Sequence, residues 1–248
     1  MIRMKTIDAK GMHYKDLNTM IKNLFKNNER EVLVKNVEGQ RYIGDGIQGN
    51  YKIVIEGTPG NDMAAYMDGS SIIVHGNAQD GTANTMNDGE IVIYGSVGDT
   101  LGYAMRGGRV YIKGNVGYRA GIHMKEYMEK KPIIVIGGKA GAFLGEYMAG
   151  GTIILLGIDI DDPKNIVGSY CGTGMHGGTI YSRIPIESFK LGKEVKQVDA
   201  DDKDMELISS HVMKFCNYFG YDYDSILDRQ FVKIYPYNKR PYKNLYAY

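Results

Sequence analysis

From Ile53 onward the chain repeats a short pattern of apolar and polar positions. Apolar triplets open at Ile53, Ile72, Ile91, Val110, Ile133 and Ile153, reading IVI, IIV, IVI, VYI, IIV and IIL, at steps of 19, 19, 19, 23 and 20 residues. A glycine stands four residues into every line: Gly57, Gly76, Gly95, Gly114, Gly137 and Gly157. A small residue recurs near the eleventh place (Ala64, Ala83, Gly102, Gly121, Gly145). A methionine recurs near the fourteenth (Met67, Met86, Met105, Met124, Met148), with Met175 equivalent after an insertion. β-Branched triplets bounded by glycine read as short strands closed by turns. A helical-hairpin repeat needs about 33 residues, so these lines are too short for one. At about 3.3 Å per residue, one line traces roughly 60 Å, the girth of a coil. The pattern predicts an all-β solenoid, a single-stranded parallel β-helix of about seven coils. It should be right-handed, because parallel crossovers favour that hand. The six glycines should set the structural turns, and the methionines should fill the axis.

Alternation along a strand assigns faces. The first and third residues of each line are aliphatic and should point inward. The fourth reads Glu56, His75, Tyr94, Lys113, Ile136 and Leu156, polar on early coils and apolar on the last two. Ile134, Ile136, Ile154 and Leu156 should therefore form an outer patch too apolar for open water, covered by the C-terminal segment or by a partner. Open solenoid ends expose strand edges and need caps. Leu17, Met20, Ile21, Leu24 and Phe25 follow helical spacing ahead of a first strand at Glu31–Val37. Asp201-Asp202-Lys203-Asp204 should start a second helix, with an apolar stripe of Met205, Ile208, Val212, Phe215 and Phe219 and a C-cap at Gly220. The chain thus divides into an N-terminal cap (1–33), a parallel β-helix (34–185), and a C-terminal helix with a Tyr-rich tail (186–248).

Thirty Lys and Arg against 29 Asp and Glu leave a formal charge of +1, so no global field recruits nucleic acid or an anionic membrane. The last 31 residues hold eight tyrosines among scattered basic residues; a tail packed on its own domain or on a partner is the expectation. Two cysteines, Cys171 and Cys216, exclude a disulfide framework and suit a reducing compartment. They are too few for an iron–sulfur cluster, which takes about four thiolates. The start MIRMKTIDAK lacks the apolar core of a signal peptide, and no apolar run approaches the roughly 18 residues of a bilayer span. The expectation is a cytoplasmic protein without membrane contact.

Candidate chemistry is sparse. Gly44-Asp45-Gly46-Ile47-Gln48-Gly49 matches a dinucleotide fingerprint, but a strand, not a helix, should follow it, so a turn between coils is expected. His13, His75, His123, His176 and His211 are scattered, and His75 and His123 fall at different places in the repeat. Cys171 could be a nucleophile only with a base nearby; a small residue filling a tight coil is the expectation. Asp159, Asp161 and Asp162 could hold Ca²⁺ but read as a solvated acidic loop. No catalytic, cofactor or metal residue is assigned. A β-helix enzyme acting on polysaccharide would line an outer groove with carboxylates, and the outer positions show no such cluster.

The coils carry a family likeness. Gly138-Lys-Ala-Gly-Ala-Phe-Leu-Gly-Glu146-Tyr147-Met148-Ala-Gly-Gly151 and Gly172-Thr-Gly-Met175-His-Gly-Gly178 resemble the final repeats of the GXGXG domain that ends the glutamate synthase large subunit. Gly76-Asn-Ala-Gln-Asp-Gly and Gly95-Ser-Val-Gly-Asp-Thr-Leu-Gly are similar to its middle coils, and the likeness covers about residues 40–240. Residues 1–39 do not match the fused enzyme's preceding domain and look more like the start of stand-alone members. The resemblance implies a right-handed β-helix that braces two catalytic domains without sharing their chemistry. One hydrolyses glutamine with an N-terminal cysteine; the other reduces an imino acid with FMN and an iron–sulfur cluster. Ile2 stands where that cysteine would be. The resemblance therefore implies a non-catalytic scaffold subunit of a split glutamate-synthase-type complex. Its partners would be a glutamine amidotransferase and an FMN-dependent synthase, and the cofactors would sit in the latter. One subunit of the tungsten or molybdenum enzyme formylmethanofuran dehydrogenase shares the same coil pattern and is the alternative.

Overall fold

The computed structural model describes residues 4–237. One 11-stranded sheet runs through them. Its strands are β1 (Lys5–Asp8), β2 (Glu31–Glu38), β3 (Lys52–Thr58), β4 (Ser71–His75), β5 (Glu90–Ile93), β6 (Arg109–Ile112), β7 (Ile133–Ile136), β8 (Ala149–Leu155), β9 (Gly177–Ser182), β10 (Val195–Asp199) and β11 (Val232–Pro236). β1 to β9 are parallel and adjacent in chain order; beyond them lie β11 and then β10, both joints antiparallel. The helices are α1 (Tyr14–Lys26), α2 (Asp202–Phe219) and the short α3 (Tyr223–Leu227). The molecule is a mostly-β parallel solenoid of about six turns.

Register follows the expected lines through four coils. Ile53, Ile72, Ile91 and Val110 stand side by side, and the row continues through Ile134, Ile153 and Ile180. The fifth line therefore opens at Ile134 and not at Ile133. Ile133-Ile134-Val135-Ile136 is apolar throughout, so nothing in it marks which residues face inward. A slip of one residue exchanges the two faces of a strand. Ile134 and Ile136 consequently join the axial core, and Ile133 and Val135 take the outer positions. Ile154 and Leu156 lie outside, as expected.

The same slip reassigns one glycine. Gly138 holds the repeat position and donates its N–H to Gly114 O at 2.9 Å. Gly137 is an outer residue: a Cβ there would meet Lys113 O at 2.2 Å and Phe215 Cζ at 2.7 Å. Among the other predicted turns, Gly57 shows the cause clearly. Its φ is +123°, and a Cβ would stand 2.2 Å from Val37 O on the preceding coil. Met67, Met86, Met105, Met124, Met148 and Met175 are all fully buried.

The wall opposite the sheet is built differently. Residues at three alternate places in each coil take positive φ: Asp62, Ala64 and Tyr66 in one, Arg119, Gly121 and His123 in another, Phe143, Gly145 and Tyr147 in the next. Successive odd peptides then point in opposite directions along the axis. Asp62 N donates to Asp80 O on the following coil (2.9 Å), Ala64 N to Ile43 O on the preceding one (2.8 Å), and Tyr66 N to Asn84 O on the following one (2.9 Å). The middle place must be small because it faces the axis: a Cβ on Gly121 would meet Ile153 Cδ1 at 2.5 Å. A left-handed residue other than glycine costs roughly 1–2 kcal/mol, and the inter-coil hydrogen bonds offset that.

Both ends are closed by the chain. α1 sits in the chain between β1, a strand the sequence reading missed, and its partner β2, the strand expected at Glu31–Val37, and it buries Leu17, Ile21 and Phe25 against the axial core. Met20, expected in that stripe, is 43% exposed. At the far end β11 and β10 continue the sheet. α2 begins with a capping box between Asp201 and Asp204 and ends on Gly220 at φ +75°, as its sequence signals foretell. It does not plug the axis. It lies along the outer face of the sheet, where Ile208, Val212, Phe215 and Phe219 cover Tyr111, Val135, Ile154 and Leu156. The expectation that the C-terminal segment covers an apolar outer patch is met, with Ile133 and Val135 in place of Ile134 and Ile136. The tail beyond residue 237 lies outside the described residues.

These contacts set the cost of two substitutions. Gly137→Val should lower the unfolding free energy by roughly 3 kcal/mol, since the new side chain meets backbone on one side and Phe215 on the other. Phe215→Ala should cost about 3–5 kcal/mol, the usual range for a fully buried Phe. Urea titrations of the purified variants read both, and unchanged midpoints would refute the assigned register and the helix seat.

Candidate functional site

The structure disperses the residues singled out from the sequence. Gly44, Gly46 and Gly49 all take positive φ in a turn that leads into β3, so the glycine-rich loop is a turn between coils. His13 caps α1, accepting from Lys15 N at 3.4 Å. His75 lies on the sheet side beside Tyr94, and His123 on the opposite wall. Asp162 caps a short 3-10 turn, and Asp159 accepts from Tyr221 OH at 3.4 Å. No group of three or more His, Cys, Asp or Glu is placed to hold a metal among the described residues.

The cysteines do not fit an iron–sulfur cluster. Cys171 is fully buried in the axis, where desolvation pushes its thiol up to about 12. Cys216 belongs to the separate cluster under α2, and burial together with nearby Asp222 raises its pKa too. Neither favours the thiolate that a cluster or a nucleophile requires. Ile134, Ile136, Ile154 and Leu156 are all fully buried, the first pair inside the axis and the second beneath α2.

Polar chemistry does gather in the seam between α2 and the sheet. Tyr111 OH and His211 Nδ1 are 3.1 Å apart and both residues are buried. Tyr181 OH donates to Asp204 Oδ1 at 2.6 Å, and Lys233 Nζ donates to both oxygens of that carboxylate at 2.8 and 3.0 Å. Burial pushes the Asp204 carboxyl up, but Lys233, Tyr181 and the Asp201 backbone together hold it below its ordinary value. Tyr218 OH donates to Glu90, and Tyr94 OH to Tyr218 O at 3.0 Å. Beside this seam a cleft of about 460 Å³ is lined by His176, Thr179, Asp199, Asp201, Asp204 and Lys233. Its one ammonium, on Lys233, is spent on Asp204. The seam fastens a helix to a sheet.

The second gathering of functional side chains is exposed, and the sequence reading missed it. On the positive-φ wall, Tyr66, Tyr103, Tyr118, Tyr147 and Tyr170 are each more than a third exposed. His123 stacks on Tyr147 at 5.3 Å and 12°, and Tyr103 meets His123 edge-on at 5.9 Å. Phe143 stacks on Tyr170 at 5.0 Å, and the Arg119 guanidinium lies over Phe143 at 4.6 Å while its Nε donates to Glu146 at 3.0 Å. The signal was available: Tyr66, His123 and Tyr147 each stand two residues after the small residue of the repeat.

Burial, with Arg109 and Lys214 nearby, pushes the His211 imidazole down to about 4. In the unfolded chain it would titrate near 6.5. Its contribution is therefore present above about pH 6.5 and is lost as pH falls toward 4, where the unfolded chain binds a proton that the folded one refuses. The slope is at most about 1.4 kcal/mol per pH unit. His211→Gln should flatten the fall in melting temperature between pH 6.5 and 4.5, and an unaltered profile would count against this assignment.

Comparison with known proteins agrees with the coil geometry. The GXGXG motif family matches residues 8–237. An uncharacterized protein of Methanocaldococcus jannaschii is 47% identical over 249 residues, covering 97% of this chain and 95% of its own length. No helix among the described residues is long and apolar enough to cross a membrane. Alternating glycines, Gly44 and Gly46 in the first coil and Gly172 and Gly174 in the last, are among the left-handed residues of the wall opposite the sheet, and on the match over residues 8–237 the chain belongs to the GXGXG motif family.

Proposed function

We propose that the chain is a non-catalytic scaffold subunit of a split glutamate-synthase-type complex. It holds a glutamine amidotransferase subunit against a flavin-dependent synthase subunit that carries FMN and an iron–sulfur cluster. The observation that carries the reading is the family match over residues 8–237, taken with the resemblance of the coils to the bracing domain of the glutamate synthase large subunit. A solenoid suits the task physically. Its coils are bonded to one another by backbone hydrogen bonds along the whole axis, so two surfaces on it keep a set separation. Holding the ammonia-producing site close to the ammonia-consuming one turns a step between separate molecules into one within a complex and limits loss of ammonia to water.

The test is isolation from the native host by an affinity tag on this chain, followed by reconstitution. The expected companions are an amidotransferase and a flavoprotein. Leaving this chain out should uncouple glutamine hydrolysis from glutamate formation and release free ammonia. Recovery of a molybdopterin protein would assign the chain to the formylmethanofuran dehydrogenase type instead. Turnover of pectin-like polymers by the isolated chain would refute the scaffold reading.

A further inference from the structure

We infer that residues 200–231 form a proton-released flap: acidification lifts α2 and α3 off the sheet while the solenoid beneath them stays folded. The inference goes beyond the scaffold reading and does not depend on it.

The topology makes the segment separable. It leaves the sheet at the end of β10 and re-enters it at the start of β11, and those two strands are neighbours, with Asp199 opposite Val232. Ala200 N donates to Phe231 O at 2.9 Å, so both ends of the flap meet at one hinge. The axial core draws no residue from this segment. Its apolar side chains, Ile208, Val212, Phe215 and Phe219 among them, belong to a second core on the other side of the sheet. Lifting the flap opens that second core and leaves the ladder and the axis intact, which is a sub-global opening of one cooperative unit.

The flap carries one imidazole, and the seam has no place for its proton. His211 Nδ1 lies 3.1 Å from Tyr111 OH on β6, and both residues are buried. Arg109 on β6 and Lys214 on α2 both repel a cation there. Glu90 on β5 is already engaged by Tyr218 OH and, at 3.8 Å, by Lys214. On α3 the Tyr223 hydroxyl is taken by Ser209 at 2.6 Å. His75 on β4 stands at the seam's edge against Tyr94, whose hydroxyl donates to Tyr218 O. At the start of α2, burial pushes the Asp204 carboxyl up, but Lys233 and Tyr181 hold it below its ordinary value, so that fastening keeps its charge under mild acid. Burial first, and then the two cations, hold His211 neutral in the seated flap down to about pH 4. Once lifted into water, the same imidazole takes a proton near pH 6.5. Each pH unit of acidification inside that interval therefore favours the lifted state by up to about tenfold.

The experiment follows amide hydrogen exchange of the full chain at pH 7 and pH 4.5, with protection corrected for the intrinsic pH dependence of exchange. Protection of the α2 amides should fall roughly fiftyfold between the two conditions, while that of the ladder from β6 to β8 should fall less than about threefold. A dye that fluoresces on apolar surfaces should light up over the same range, as Val135, Ile154 and Leu156 lose their cover. His211→Gln, whose amide takes no proton, should keep the fall in α2 within about fivefold. Equal losses in α2 and in the ladder would mean that the whole chain loosens together, and would overturn the flap. A fall in the variant as large as in wild type would overturn it too, since the proton would then bind elsewhere. The wild-type comparison of helix against ladder needs no variant, so it decides the matter even where His211→Gln does not fold.

Discussion

Most peptide groups in the coils find their partners in the coil above or below, and the rest of the structure depends on that constraint. On the sheet side it is met by a parallel ladder from β1 to β9. On the other side it is met by alternating left-handed residues, so that the N–H groups of every second residue reach up and down the axis in turn. Both solutions stack equivalent residues directly over one another. A side chain therefore has the same neighbours one level away, and columns of one residue type become stable: isoleucine under the sheet, methionine along the axis.

That stacking explains where glycine is demanded. Gly57 is needed because another coil's carbonyl lies against its α-carbon, and Gly121 because the axis has no room. The constraint is relaxed on the outward left-handed places, where a side chain leaves the coil and meets other side chains and not backbone. These are the places at which Arg119, His123, Phe143 and Tyr147 appear. Departures from the glycine pattern thus concentrate where they leave the coil undisturbed.

Much of this was legible in the sequence, for identifiable reasons. The registered triplets, small residues and methionines repeat because their environments repeat, so the solenoid and its axial core could be read directly. The helix α2 was legible from Asp201, its stripe and Gly220. Ile133 to Ile136 were assigned to the wrong faces, because both faces there are buried and binary alternation vanishes. β1 is four residues long and lacks a partner within its own segment of sequence; its pairing with β2 is a tertiary fact. The order of β11 and β10 depends on the chain returning after two helices, which no local pattern encodes. The aromatic wall went unread because its residues are spaced by whole coils and differ in type from one coil to the next.

The seat of α2 has a mechanical consequence. Its apolar cluster runs from the half-buried Ile73 on β4 to Tyr181 on β9, whereas the outer faces of β2 and β3 carry no helix among the described residues. The rod is therefore splinted along one part of its length and bare along the other. Thermal breathing should be graded along the axis, the unsplinted levels admitting water and exchanging their amides well before the splinted ones. A body attached to the splinted levels would feel a stiff mount, and one attached near β3 a compliant one.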